Sequence, residues 1–171
     1  MGTRPFEILA EFDAQQKVIK TIEDSQSSKQ PITHVSTHVT DLRQLDQSIS
    51  NVFKKYPNLT LIINFDTNQQ TYKCIHGGIK AVKYLVIAGH NITTIERSFI
   101  FAYDELISVD LSSLAMLTTI ENWPFQFCYN LTFIQLPQNL TTIRKGLNIK
   151  NSKCNKVFWC ARITAFGTGK A

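Results

Sequence analysis

The chain has 171 residues, 43% hydrophobic and 18% charged, with 7 Gly, 5 Pro and 4 Cys. That is enough for one domain with a real core, and it excludes wholesale disorder, a collagen-like chain and a disulfide-built mini-protein. The formal net charge of +5 is unevenly spread: seven basic residues run from Arg144 to Lys170 and no Asp or Glu follows Glu121, leaving eleven basic against thirteen acidic residues before Arg144, a net of −2.

No run in the chain nears the roughly 20 apolar residues that span a membrane. Glu7 and Glu11 interrupt Met1 to Phe12, where the apolar centre of a signal peptide would lie. Phe6 stands where a myristoylation motif after Gly2 requires Ser or Thr, and the C-terminal Gly169-Lys170-Ala171 has no Cys for prenylation. The default expectation is a soluble cytoplasmic protein. Phe6 to Phe12 and Val18 to Ile22 fit either two strands or one amphipathic helix, and the polar segment Ser25 to Gln30 before Pro31 predicts a loop.

Thr33 to Val39 predicts a strand. Leu42, Leu45, Ile49, Val52 and Phe53 have helical spacing after the capping candidates Thr40 and Asp41, and Pro57 stops that helix just past Lys55. The apolar run Leu59 to Phe65 predicts a buried strand, entered through Pro57-Asn58-Leu59, whereas Asp66 to Gly78 shows no matching return.

From Val82 onward the chain repeats. Ile92-Thr93-Thr94-Ile95 recurs as Leu117-Thr118-Thr119-Ile120 and as Leu140-Thr141-Thr142-Ile143, and each copy follows an alternating run: Leu85 and Ile87, Val109 and Leu111, Ile134 and Leu136. After the tetrapeptides come Phe99, Phe125 and Leu147, then a small residue, Ala102 or Cys128, in two copies. Cys154-x-x-Val157-x-x-Cys160 begins a further copy in phase with Cys128-x-x-Leu131-x-x-Ile134. A single coil of this length cannot bury its own apolar face, so the pattern predicts a stacked solenoid whose strands line up as a parallel sheet. Four Asn-x-Thr triplets, at Asn58, Asn91, Asn130 and Asn139, fall at recurring positions and are ascribed to the repeat rather than to glycosylation.

The strings Leu131-Thr132-Phe133-Ile134-Gln135-Leu136-Pro137-Gln138-Asn139-Leu140-Thr141-Thr142-Ile143 and Phe125-Gln126-Phe127-Cys128-Tyr129-Asn130-Leu131 resemble the BspA-like class of leucine-rich repeats, with its Leu-Pro turn, Thr-x-Ile return, aromatic and Cys. The resemblance covers about residues 82–162, with Glu96, Glu121 and Arg144 standing where the family usually has Gly. It implies an α/β leucine-rich-repeat solenoid with a short parallel sheet and an irregular convex side. Residues 1–57 are expected to form a less regular α/β cap on a solenoid of 58–171. The resemblance also implies protein binding, and a cell-surface setting as the alternative to the cytoplasm.

Chemistry is sparse. His34 and His38 have the outer spacing of a zinc-binding helix, but Val35 replaces the catalytic Glu and the β-branched surroundings favour a strand. Cys74 and His76 beside Gly77-Gly78 lack a third orienting group, Cys128 is expected in the core, and Cys154 and Cys160 lack a paired CxxC set. No cofactor, metal site or enzymatic activity is expected.

The expected function is recognition of a protein or peptide on the outward strand positions: Tyr84, Ser108, Phe133 and Trp159 in one column, and Val86, Asp110, Gln135 and Ala161 in the next. The alternative is a binder of nucleic acid or anionic membrane through the basic C-terminal face, a partner class the sequence disfavours. Exposed end coils allow self-association, and the incomplete final coil raises the reading of a fragment or degenerate paralogue.

Overall fold

The computed structural model describes residues 16–25, 27–28, 32–40, 45, 47–66, 71–72, 79–144, 156–158 and 165–166. It is a parallel-sheet β-solenoid. One sheet holds six strands in the order β1 (His34–Val39), β2 (Thr60–Phe65), β4 (Tyr84–Gly89), β6 (Ser108–Asp110), β8 (Phe133–Gln135), β10 (Lys156–Phe158). The second sheet stacks β3 (Thr71–Tyr72), β5 (Thr94–Ile95), β7 (Thr119–Ile120), β9 (Thr142–Ile143) and β11 (Ala165–Phe166). All pairings are parallel.

Alternation in the sequence places the strands. In β2 and β4 every second residue is buried, and the register sets Leu61, Leu85, Val109 and Ile134 side by side in the interior, none more than 1% exposed. Each such side chain contributes about 1.5–3 kcal/mol on removal from water. Ile95, Ile120 and Ile143 form the matching row from the second sheet. Between the sheets the chain turns tightly at Leu114 and Leu117, whose amides donate to the carbonyls three residues back. The same turn leads into the first sheet at Leu59, Val82, Leu106 and Leu131, so Pro57-Asn58-Leu59 is a repeat entry as expected.

Side chains also tie the coils together. Thr118, Thr132 and Thr141 hydroxyls donate to the carbonyls of Thr93, Ile107 and Thr118. Asn130 and Asn139 amides donate to Asp104 and Ala115 carbonyls at 2.6 and 2.8 Å, and Asn64 donates to Thr37. Two of the Asn-x-Thr triplets thus supply the inter-coil bonds of a repeat.

Residues 16–25 form helix α1, with Val18 and Ile22 buried one turn apart, which resolves the strand-or-helix ambiguity of Val18 to Ile22. The helix enters the segment expected to be a loop: Ser25 is buried with its hydroxyl on the Ile22 carbonyl, and the Ser28 amide donates to Asp24. A serine can be buried there because the preceding turn satisfies its hydroxyl. Helix α2 (Gln47–Lys55) connects β1 to β2. Leu45, Ile49 and Phe53, spaced by four, are buried together, and Lys54 and Lys55 sit favourably in the last turn. One apolar core runs from Val18 to Ile143.

Three further differences from the sequence reading have physical causes. The tetrapeptide returns are strands of a second sheet, and Thr71–Tyr72, inside the segment without a visible return, pairs with Thr94–Ile95. On the third side of the coils, Ile100 and Ala102 amides donate to Pro124 and Gln126, so Ile100 aligns with Phe125 and Tyr103 with Cys128, where Phe99 and Ala102 were expected. In the last pair, Lys156 and Phe158 lie opposite Phe133 and Gln135, where the repeat phase had placed Trp159 and Ala161. That register continues in β11, where Ala165 and Phe166 oppose Thr142 and Ile143.

Candidate recognition surfaces

The outer face of the six-stranded sheet carries three columns. The first is His34, Thr60, Tyr84, Ser108 and Phe133; the second is Ser36, Ile62, Val86, Asp110 and Gln135; the third is His38, Asn64 and Ala88, with Lys156 and Phe158 next in register after Phe133 and Gln135. Tyr84, Val86, Ser108, Asp110, Phe133 and Gln135 are therefore brought together as the alternation predicts, all half-buried. Trp159 and Ala161 lie outside the described residues. Adjacent members of a column are about 4.8 Å apart, so Tyr84 and Phe133 stand roughly 10 Å apart across Ser108.

The columns differ in what they offer. Ile62 beside Val86 makes an apolar step; the sequence reading takes His34 only as a possible metal ligand and does not place Thr60 or Ile62 on this face, because the clear repeat begins at Val82. Asp110 is partly committed inside the fold: its carboxylate accepts the Ser112 amide at 2.8 Å and shapes the turn after β6. At the β1 end His38 Nδ1 meets Asp66 Oδ2 at 2.8 Å, and Asn64 donates to the Ser36 hydroxyl.

The two histidines face outward from one strand, as the pattern predicts. Four residues along a strand separate them by about 13 Å, too far to share a metal ion. Among the described residues no cluster of three potential ligands occurs. Cys74 and His76 lie outside the described residues, as do Cys154 and Cys160. Cys128 is 3% exposed, its Sγ 3.6 Å from the Ile100 carbonyl, and burial pushes its thiol up to about 11. It is a core thiol, not an activated nucleophile.

A second surface was not anticipated. Phe101 packs edge-on against Phe127 of the next coil, with ring centroids 5.2 Å apart at 88°, and Phe127 lies 6.1 Å from Tyr129. Trp123, Phe127 and Tyr129 are 40%, 41% and 52% exposed. Trp123 and Phe127 also hold left-handed backbone, with φ of 55° and 63°, as do Ser98 and Ala102 one coil earlier at 54° and 57°. The four lack the glycine that would mark such positions in a sequence. Asp104 sits one coil before Tyr129 at the same repeat position, its carbonyl held by Asn130.

Of the seven basic residues of the C-terminal face, Arg144 pairs with Glu121 at 3.1 Å and Lys156 begins β10; Lys145, Lys150, Lys153, Arg162 and Lys170 lie outside the described residues. No helix among the described residues is long and apolar enough to cross a membrane. Comparison of the chain with protein-family models, curated proteins and solved structures finds no match.

Proposed function

We propose that the chain is a non-enzymatic recognition module of the BspA-like leucine-rich-repeat type, binding a protein or peptide on the outer face of the six-stranded sheet. The observation that carries this reading is the strand register, which sets Tyr84 and Phe133 in one column and Ile62 beside Val86 in the next. Hydrogen-bonded strands fix these side chains before any partner arrives, which lowers the ordering cost of association. Aromatic anchors beside small polar residues such as Ser108 have the make-up of an interface centre.

The test is affinity capture by the whole chain and by a Tyr84→Ser, Phe133→Ser variant shown by circular dichroism to keep its fold. Both sites are half-buried and face outward, so the variant is expected to fold and to lose its specific partners. An unchanged partner set that vanishes at high salt would move the function to the basic C-terminal segment, toward nucleic acid or anionic lipid.

A further inference from the structure

The aromatic strip on the third side calls for an explanation that stability does not supply. Left-handed backbone is strained for an L-residue, and bulky side chains are genuine outliers there. The preceding coil holds the same conformation with Ser98 and Ala102, so the geometry belongs to the coil, and a small residue or glycine suffices for it. Trp123 and Phe127 add large rings to the same geometry and leave them about 40% exposed. Strained backbone combined with exposed apolar area points to a surface kept for a partner.

We propose that Phe101, Trp123, Phe127 and Tyr129, with Asp104 and Glu105, form a second docking surface whose occupant is an arginine-bearing peptide segment. The charge pattern selects this chemistry. From Asn122 to Asn130 there is no charged residue, and from Glu96 to Glu105 three acids stand against Arg97 alone. Asp104 is exposed at the edge of the strip next to Tyr129, and exposed Glu105 lies 4.0 Å from Lys83. A guanidinium laid on the Phe127 or Tyr129 face gains cation–π attraction, and its fork of N–H groups reaches a carboxylate at the strip's edge. An ammonium offers no flat face to stack, so lysine fits less well. The chain's net charge is +5, so a cationic peptide that binds here does so through local complementarity and not the overall field.

The experiment titrates the whole chain into a fluorescein-labelled, end-capped peptide Gly-Arg-Gly-Arg-Gly-Arg-Gly and its lysine counterpart, followed by anisotropy at two salt concentrations. The arginine peptide is expected to bind at least five-fold more tightly than the lysine peptide. Phe127→Gly, which fits the left-handed backbone and is checked for folding by circular dichroism, is expected to weaken it ten-fold or more. Asp104→Asn with Glu105→Gln should weaken it about five-fold and flatten the salt dependence, and Tyr84→Ser with Phe133→Ser should leave it unchanged. Absence of binding to the wild type, equal affinity for the two peptides, or affinity undiminished in a folded Phe127→Gly variant would each overturn the proposal.

Discussion

Ala102 offers the cleanest measurement of the strain carried by the third side of the coils. Its φ of 57° lies in the left-handed region, and Ala102→Gly deletes only a half-buried methyl group. Relief of the left-handed penalty contributes about 1–2 kcal/mol. Against it stand the extra freedom of glycine in the unfolded chain, about 0.5–1 kcal/mol, and about 0.4 kcal/mol for half of a buried methyl group. The net expectation is a stabilisation of about 0.5 kcal/mol. The same exchange at Ala88, half-buried on the outer sheet face with ordinary strand backbone, has no strain to release and should destabilise by about 1 kcal/mol. The two variants therefore differ in sign and are separated by about 1.5 kcal/mol, or roughly 3–6 °C in Tm for a chain of this size. Urea unfolding followed by circular dichroism gives both values. Equal destabilisation at the two sites would refute the assignment of strain to the third side.

Gly89 ends β4 in a closed space: an added Cβ would lie 3.1 Å from Ile92 Cδ1 and 3.3 Å from Phe65 Cβ. Gly89→Ala is expected to cost about 1 kcal/mol, and Ile92→Val, which removes Cδ1, should reduce that cost in a double-mutant cycle of urea melts. Ile120 is fully buried between Ile95 and Ile143, where hydrogen-bonded strands prevent collapse, so Ile120→Ala should lose about 3–4 kcal/mol, while the exposed Met116→Ser stays within about 0.5 kcal/mol in the same assay. For Cys128 the folded thiol ionises near 11 against 9.0 for an ordinary thiol, so the unfolded chain loses its proton first. Stability from this group is complete below pH 9 and falls between pH 9 and 11 by about 2–3 kcal/mol, a slope that Cys128→Ala should remove from the pH dependence of unfolding.

The long alternating strands were legible because one residue in two must face the core: Leu85 and Ile87, or Val109 and Leu111, announce a buried row by their spacing alone. The outward columns came with them, which is why six of the seven expected site residues lie where the register puts them. Two-residue strands such as Thr71–Tyr72 have no period to read, and their sheet exists only through pairing with the next coil. The third side was misread by one residue because Phe99 and Phe125 look equivalent, whereas the hydrogen bonds pair Ile100 with Pro124 and so place it level with Phe125. Left-handed positions at Trp123 and Phe127 were silent, since tertiary context rather than glycine holds them there. The last register slipped because Cys160 matches Ile134 in spacing, while the strand pairing sets Val157 opposite it.

Most of the side-chain ties between coils share a direction. Asn64, Thr118, Asn130, Thr132, Asn139 and Thr141 all donate backward, to carbonyls 23 to 27 residues earlier in the chain. Through these six bonds a coil is stitched to a predecessor that exists before it during synthesis, whereas the Ser98 hydroxyl, which donates forward to Gln126 Oε1 at 2.9 Å, waits for its successor. Carbonyls awaiting a successor can rest on water at little cost, so a half-made solenoid is a template and not a damaged protein. The placement of these asparagines and threonines favours assembly in chain order.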